Sequence, residues 1–537
     1  MIFLKYIRRL AYATRNIQER NLKMNSILIE LDKSSNIPMY LQVANKIEGL
    51  IKSGSLNVGD KLPPIRKLAS DLEVNNVTIV NAYKQLEINR YVNAIKGSGY
   101  YVSEQENSYA RYVSNTSSIE NQNNSQMASN NMAIDYPEYH EDFKLMSNGQ
   151  ISMSSTTINF ASATPDPSIF PIEAFKSALN EVLDRDKGYA FGYQESNGYE
   201  PLRESLCEYV LNEYHINVTP DSIQVVSGAQ QGIDIIGKAI LSPGDFVITE
   251  NPTYTGAAAV FKSRGANIIG VPMEIDGMNM ELLEANLKVY KPKLIYVMTQ
   301  FQNPTTSSYS EEKLKQLLAL ADKYNLYLVE DDSLSGLSYD SSFKAKTLKS
   351  MDEKNRVIYI KSFSKLLMPG LRIGFLISPK SLMENLLAAK HTTDISSSGL
   401  IQRALQLYFK NGHWENHLKY MRDIYKIKYD VMLEELSKLK IYGVDFFDPK
   451  GGLNFWITLP KGVSASVLYG ECSKKDVLLV PCNVFYVNND KHKDNALRIS
   501  FAATNVDEIK AGMKIIGDCL STLINKTKRT SYISPLI

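Results

Sequence analysis

The sequence predicts a multidomain chain: an N-terminal winged helix-turn-helix domain, then an α/β domain that ends in a small α+β subdomain. Three observations predict it. Between Pro38 and Val102, three helical stretches are followed by two short β-runs. From about Phe160 onward, short apolar runs alternate with helical stretches, the pattern of strands crossed over by helices. A polar stretch without periodicity separates the two, and 537 residues are too many for one domain.

The first 36 residues form an N-terminal arm. It is basic (Lys5, Arg8, Arg9, Arg15, Arg20, Lys23) and lacks the continuous apolar centre of a secretory signal. A mobile tail and an arm that touches DNA both fit it, and Met24 is an alternative start. No apolar run reaches the length needed to span a membrane. Apolar residues make up 44% of the chain, enough for a large core. The formal net charge is only +2, so nucleic-acid contact must come from local basic clusters. Four cysteines (Cys207, Cys472, Cys482, Cys519) show no metal-ligand spacing and no disulfide framework, which points to a reducing, cytoplasmic setting without a bound metal.

Residues 37–104 carry the first domain. Leu41, Ala44, Ile47, Leu50 and Ile51 fall on one face of a helix over Tyr40–Ile51. A second helix runs from Ile65 to Leu72 behind Pro63-Pro64, and a third from Val77 to Ile88 after the turn at Glu73-Val74-Asn75. Tyr91–Ile95 and Gly99–Val102 read as the two strands of a wing around Lys96-Gly97-Ser98. In this layout the third helix enters the major groove of double-stranded DNA with its first residues leading. Asn75 and Asn76 suit adenine, and Thr78 suits a phosphate or a thymine methyl. Arg66, Lys67, Lys84, Arg90 and Lys96 suit phosphates, and Gly97 and Gly99 let the wing approach the backbone. Asn75 equally suits a helix cap.

These stretches resemble the GntR-type winged-helix domain: Pro38–Gln42, Gly59–Pro63, Arg66–Ala69, Thr78–Glu87 and Gly97-Ser98-Gly99. Two departures stand out. That family usually has Ser-Arg where Asn75-Asn76 stand, and glycine where Arg90 stands. A different operator sequence is the expected result.

Residues 105–155 read as a flexible linker, rich in Ser, Asn and Gln. Residues 156–381 form the large α/β domain, with parallel strands expected at Gln224–Ser227, Phe246–Thr249, Leu294–Val297, Leu326–Val329 and Val357–Ile360. Residues 382–537 begin with long helices and end in the small subdomain.

The stretch Ser362-Phe363-Ser364-Lys365, followed by Arg372, places one amine, two hydroxyls and a guanidinium in a single turn. A buried, partly neutral lysine forms an imine with an aldehyde, and hydroxyls with an arginine hold a phosphate. That is the chemistry of pyridoxal 5'-phosphate. Asp331, at a strand end, keeps a pyridine nitrogen protonated. Asn303 donates to the ring's phenolic oxygen. Gly228-Ala229-Gln230 offers backbone N–H groups at a helix start to the phosphate. Tyr254 is placed to stack on the ring.

Residues from about Phe160 to Leu520 resemble the fold-type I pyridoxal-phosphate aminotransferases. With the first domain, the chain is similar to the MocR-type regulators, which fuse a GntR-type domain to such a domain. Further stretches carry the resemblance: Tyr193–Arg203, Gly451–Trp456 and Leu497–Ala502. It implies that Arg498 grips a substrate carboxylate and that Tyr193 reaches the phosphate of a neighbouring subunit, hence a homodimer. Where that family has a tyrosine, this chain has Ser333 and Leu334, and Pro481-Cys482 replaces Pro-Gly. Neither prevents an imine at Lys365, but both slow a full transamination cycle. The expectation is a regulator that senses pyridoxal phosphate or an amino-acid-like compound. The alternative is an active aminotransferase moving an amino group from an amino acid to a 2-oxo acid.

Overall fold

The computed structural model describes residues 38–52, 56, 59–88, 91–95, 99–103, 157–340, 346–487 and 493–531. The arm at 1–36, the linker at 105–155, Arg90, Lys96 and Gly97 lie outside the described residues. The chain divides into two compact units, Met1–Ala133 and Ile134–Ile537.

In the first unit, α1 (Met39–Lys52), α2 (Ile65–Asp71) and α3 (Asn76–Ile88) precede a hairpin of β1 (Val92–Ile95) and β2 (Gly99–Val102). The hairpin is antiparallel, from Val92 opposite Val102 to Ile95 opposite Gly99. Its core joins Val43, Ala44 and Ile47 of α1 to Leu68 and Ala69 of α2, Ile79, Ala82, Tyr83 and Leu86 of α3, and Val92 and Val102. Leu41, expected on the buried face, stays outside this cluster and Val43 takes its place. At 3.6 residues per turn Leu41 points about 120° away from the centre of that face. Tyr83 donates its hydroxyl to the Pro63 carbonyl at 2.8 Å, which ties α3 to the start of α2.

The second unit opens with β3 (Ile158–Asn159), α4 (Ile172–Asp186) and α5 (Glu200–Tyr214). Then come β4 (Ile223–Val226), α6 (Ala229–Ile240), β5 (Phe246–Asn251), α7 (Thr255–Ser263), β6 (Asn267–Glu274) and β7 (Gly277–Met278). Next are α8 (Met280–Tyr290), β8 (Leu294–Val297), α9 (Glu311–Lys323), β9 (Tyr327–Asp332), β10 (Val357–Ser362) and β11 (Gly374–Ile377). The chain continues through α10 (Lys380–Asp394), α11 (Gly399–Lys410), α12 (His413–Lys438), β12 (Asp445–Phe446) and β13 (Asn454–Thr458). It closes with α13 (Ala465–Ser473), β14 (Val477–Leu478), β15 (Val480–Pro481), β16 (Ala496–Ser500) and α14 (Val506–Ser531).

The central sheet has eight strands in the order β4-β11-β10-β9-β8-β5-β6-β7. From β10 to β6 neighbours run parallel, as expected. β11 is antiparallel to both β10 and β4, so the sheet is mixed. The connection from β10 to β11 holds no crossover helix, and a direct return makes neighbours antiparallel. Alternation along β10 sends Ile358 and Ile360 to one face, packed with Ile233, Ile236 and Val329. Tyr359 goes to the other face, with Tyr209, Tyr214 and Phe375. The smaller sheet is antiparallel, in the order β12-β13-β16-β15. β3 pairs with β14, so the strand that opens the second unit lies beside its C-terminal part. Among the described residues no helix is long and apolar enough to cross a membrane, and no cluster of side chains is arranged to hold a metal ion.

Candidate cofactor site and nucleic-acid interface

Lys365 sits in the turn between β10 and β11. Leu366 and Leu367 donate their N–H groups to the Phe363 carbonyl at 3.1 and 2.8 Å, and all three side chains are buried. This packing fixes the turn and leaves Lys365 half-buried. Its surroundings lower its pKa to about 8: burial contributes most, followed by the charges of Arg498 and Arg372. A free amine fraction of about one-tenth at neutral pH follows.

Ser362, Ser364, Arg372 and Gly228 converge beside it. Ser362 donates to Ser364 Oγ at 3.2 Å, and Arg372 Nη1 reaches Ser364 Oγ at 3.5 Å. Arg372 adopts a left-handed backbone (φ 49°). Gly228, at φ 111°, precedes the first turn of α6. A Cβ there would lie 3.2 Å from Arg372 Nη2, 3.6 Å from Ser364 Oγ and 3.7 Å from Ser362 Oγ. Glycine therefore keeps open a cradle ringed by two hydroxyls, a guanidinium and a helix start, which suits a phosphate. Ala229 begins that helix. The Gln230 side chain is turned to Gly256 O (3.0 Å) and Tyr254 OH (3.1 Å), so any anion contact it makes is through its backbone.

Asp331 lies near the end of β9, buried, and accepts from Tyr296 OH at 2.7 Å and Ser333 Oγ at 3.1 Å. Burial raises its pKa to about 6, with Asp332 adding to the rise and both donors opposing it. It is therefore a carboxylate at pH 7. Asp332 points to the opposite face of the sheet. There it pairs with Lys361 Nζ at 2.9 Å, and Lys361 also donates to Tyr214 OH and Ser335 Oγ. Of the two neighbouring aspartates, only Asp331 shares the face of Ser362.

Arg498 of β16 is buried. It donates from Nη1 to Asn303 Oδ1 at 3.1 Å and from Nη2 to the Ala161 carbonyl. Its guanidinium lies 5.2 Å from the Phe485 ring centre, and its Nε has no hydrogen-bond partner. Burial lowers its pKa to about 10, so it stays charged. Tyr254 is half-buried, and its pKa is pushed up to about 12, by burial first and then by the negative charge of Asp331. The charges of Arg498 and Arg372 thus reach both Lys365 and Tyr254, Asp331 reaches Tyr254, and Asn303 is hydrogen-bonded to Arg498. Tyr193 is not part of this group; it is 86% exposed. A phosphate-bearing aldehyde fits the donor set: a low-pKa amine, an anion cradle that one methyl group would fill, and a buried guanidinium with an unused N–H.

Sequence reasoning missed Tyr296. The signal was a phenol inside the otherwise aliphatic strand Leu294–Val297, where a buried hydroxyl requires a partner.

On the first unit, Arg66, Lys67, Lys84, Asn75 and Asn76 are exposed and Thr78 is half-buried at the start of α3. Asn75 Oδ1 accepts from Val77 N–H at 3.0 Å, so this side chain serves the helix start.

Comparison with known proteins matches residues 155–516 to the aminotransferase class I and II family, and residues 39–102 to the bacterial regulatory proteins of the gntR family. Aromatic-amino-acid aminotransferase 1 of Thermococcus litoralis is 32% identical over 378 residues, 70% of this chain and 90% of its own length. The uncharacterized HTH-type transcriptional regulator YdfD of Bacillus subtilis is 29% identical over 502 residues, 93% of this chain and 99% of its own. Kynurenine aminotransferase of Pyrococcus horikoshii, solved in complex with PMP, superposes with a TM-score of 0.66 at 33% identity, covering 71% of this chain and 94% of that one. The chain belongs to the class I and II aminotransferases, a family that implies dependence on pyridoxal phosphate, and carries a gntR-family domain ahead of it, the combination of the MocR-type regulators.

Proposed function

We propose that the chain is a DNA-binding transcriptional regulator whose aminotransferase domain holds pyridoxal phosphate and responds to it, or to an amino-acid-like compound, through Lys365. One observation carries this reading: a gntR-family domain is joined in one chain to a domain whose softened lysine lies beside an anion cradle. Pyridoxal phosphate, when bound, supplies an aldehyde that condenses with primary amines and a ring that withdraws electrons from the carbon beside that amine.

The chain's own groups have distinct tasks. Lys365 offers a free amine. Ser362, Ser364, Arg372 and the start of α6 bind the phosphate. With the cofactor bound, Asp331, held by Tyr296 and Ser333, would keep a proton on the ring nitrogen. Asn303 would serve the phenolic oxygen and Tyr254 would stack on the ring. Arg498 binds a carboxylate, which selects amino acids over plain amines. Arg66, Asn76 and Thr78 would contact the operator, with Asn75 capping the helix that presents them; Lys96 and Gly97, assigned to the operator from the sequence, lie outside the described residues. A homodimer fits the exposed aromatic segment Tyr189, Phe191 and Tyr193 (85%, 68% and 86% exposed).

Regulation requires a ligand that binds two states of the protein with different affinity. Gel-shift titration on the DNA upstream of its own gene, with and without pyridoxal phosphate and amino acids, tests this. A complex that forms and responds to cofactor supports the proposal. No specific shift under any condition overturns it.

The second reading, a working aminotransferase, is favoured by the complete set of Lys365, Asp331, Asn303, Arg372 and Arg498. Half-reaction spectroscopy against a panel of amino acids decides it. A cofactor band unchanged by every donor rules it out.

A further inference from the structure

Glu250 takes no part in the chemistry above, yet it is a fully buried carboxylate at the end of β5. Each of its hydrogen-bond partners is a donor, and each stands on one loop. Oε1 accepts from Met298 N–H at 3.0 Å and Tyr309 OH at 2.9 Å, and Oε2 accepts from Gln302 Nε2 at 2.9 Å. Gln302 is itself fully buried and locked. Its Nε2 also donates to the Pro252 carbonyl at 2.9 Å, and its Oε1 accepts from Thr305 N–H at 2.8 Å and Thr305 Oγ1 at 2.7 Å. The loop then closes on itself, with Tyr309 N–H on Thr299 O and Gln302 N–H on Ser307 O, both at 2.9 Å. On the neighbouring side Glu330 of β9 accepts from Thr299 Oγ1 at 2.6 Å. Asn303, the next residue after Gln302, is the one that meets Arg498.

Burial raises the Glu250 pKa to about 8 against the opposing pull of its donors, so the ionised, acceptor-only form that these three donors match prevails above that pH. A buried carboxylate is a costly way to hold a loop unless its polarity is needed. Here it is needed. An amide at this position would direct its NH2 group either at the NH2 of Gln302 or, turned over, at the Met298 N–H. Gln302 cannot turn over without facing its oxygen to the Pro252 carbonyl and its nitrogen to the two Thr305 donors.

We propose that Glu250 is a positioning residue that acts through Gln302 to fix the Met298–Tyr309 loop, so that Asn303 is delivered to Arg498 and to the cofactor. The cofactor half of this statement rests on the reading of Asn303 given above; the loop half does not.

The test uses the full chain with the substitutions Glu250→Gln, Asn303→Ala, the double variant E250Q/N303A and the polarity swap E250Q/Q302E. Amide hydrogen exchange is read on protein prepared without cofactor, and pyridoxal phosphate affinity by absorbance titration. Glu250→Gln should speed exchange at Met298 and Thr305 by about tenfold or more and leave β10 unchanged. It should weaken pyridoxal phosphate about tenfold, as Asn303→Ala does, and the double variant should be no weaker than Asn303→Ala alone. The swap should rescue neither readout, because a carboxylate at position 302 sets an oxygen against the Pro252 carbonyl, to which Gln302 Nε2 donates at 2.9 Å. Wild-type exchange in Glu250→Gln, or affinity losses that multiply with Asn303→Ala, would overturn the proposal. Should Glu250→Gln not fold, Gln302→Leu cuts the same link while leaving Glu250 two donors, and the same pattern is expected of it. If wild-type protein bound no pyridoxal phosphate, the functional reading would fail while the exchange data still decided the role of Glu250.

Discussion

Tyr296 and Asp331 stand on the adjacent strands β8 and β9, and the phenol donates to Asp331 Oδ2 at 2.7 Å. Among the described residues no donor to that carboxylate is closer; Ser333 Oγ lies at 3.1 Å. The phenol that steadies Asp331 thus comes from the neighbouring strand. Tyr296→Phe should raise the Asp331 pKa further above about 6. It should also lower unfolding stability by about 1.5–3 kcal/mol, the range for a hydrogen bond to a charged group. Urea denaturation together with pyridoxal phosphate affinity checks both effects.

The pH dependence of cofactor capture follows from Lys365. A pKa lowered to about 8 means the free amine fraction rises about tenfold from pH 7 to pH 9 and then levels off. An ordinary lysine would gain about a hundredfold over the same interval and keep rising. The initial rate of absorbance development after mixing with pyridoxal phosphate reads this directly. Arg498→Gln removes one of the two charges that depress the pKa, so its profile should move to higher pH.

The Lys361–Asp332 pair is wholly buried, with 0% and 1% of the two side chains exposed. Removing one member strands a charge in the core, which costs about 3–5 kcal/mol. Lys361→Met should therefore destabilise the second unit by that order. Lys361→Met with Asp332→Leu should recover most of the loss in denaturation experiments, since neither charge then remains. A double variant as unstable as the single one would show that the surrounding hydroxyls depend on the pair.

The two asparagines before and at the start of α3 should separate on substitution. Asn75→Ala removes the acceptor for Val77 N–H and should cost about 1 kcal/mol of stability in the first unit. Asn76→Ala should leave the melting profile unchanged and weaken operator binding by about 1–3 kcal/mol. Arg66→Ala should weaken binding to all sequences alike and reduce the slope of affinity against salt by about one. Melting curves and gel shifts at two salt concentrations resolve the three.

The placement of Lys365, Asp331 and Arg372 was legible because each sits at a strand end or in the turn that follows. The partners that tune them were not. Tyr296 touches Asp331 only because β8 lies beside β9, and Glu250 reaches Met298 only because β5 lies beside β8. Strand order is settled by packing across the sheet, which no local pattern encodes. β6 escaped notice because Gly270 and Pro272 interrupt its apolar run, and β11 because it is only four residues long and begins with a glycine. In the first unit, helix positions followed the spacing of apolar residues, yet the depth of burial did not: Val43 is buried where Leu41 was expected, because the buried face is centred between Val43 and Ala44.

The pairing of β3 with β14 places Ala161 where Arg498 Nη2 takes its carbonyl. That residue lies just a few positions into the second unit's described chain, on the polypeptide arriving from the DNA-reading end. A carboxylate that claimed the same guanidinium would compete with that carbonyl for a proton. A ligand held there would thus be in competition with the first described residues of the second unit for one hydrogen atom.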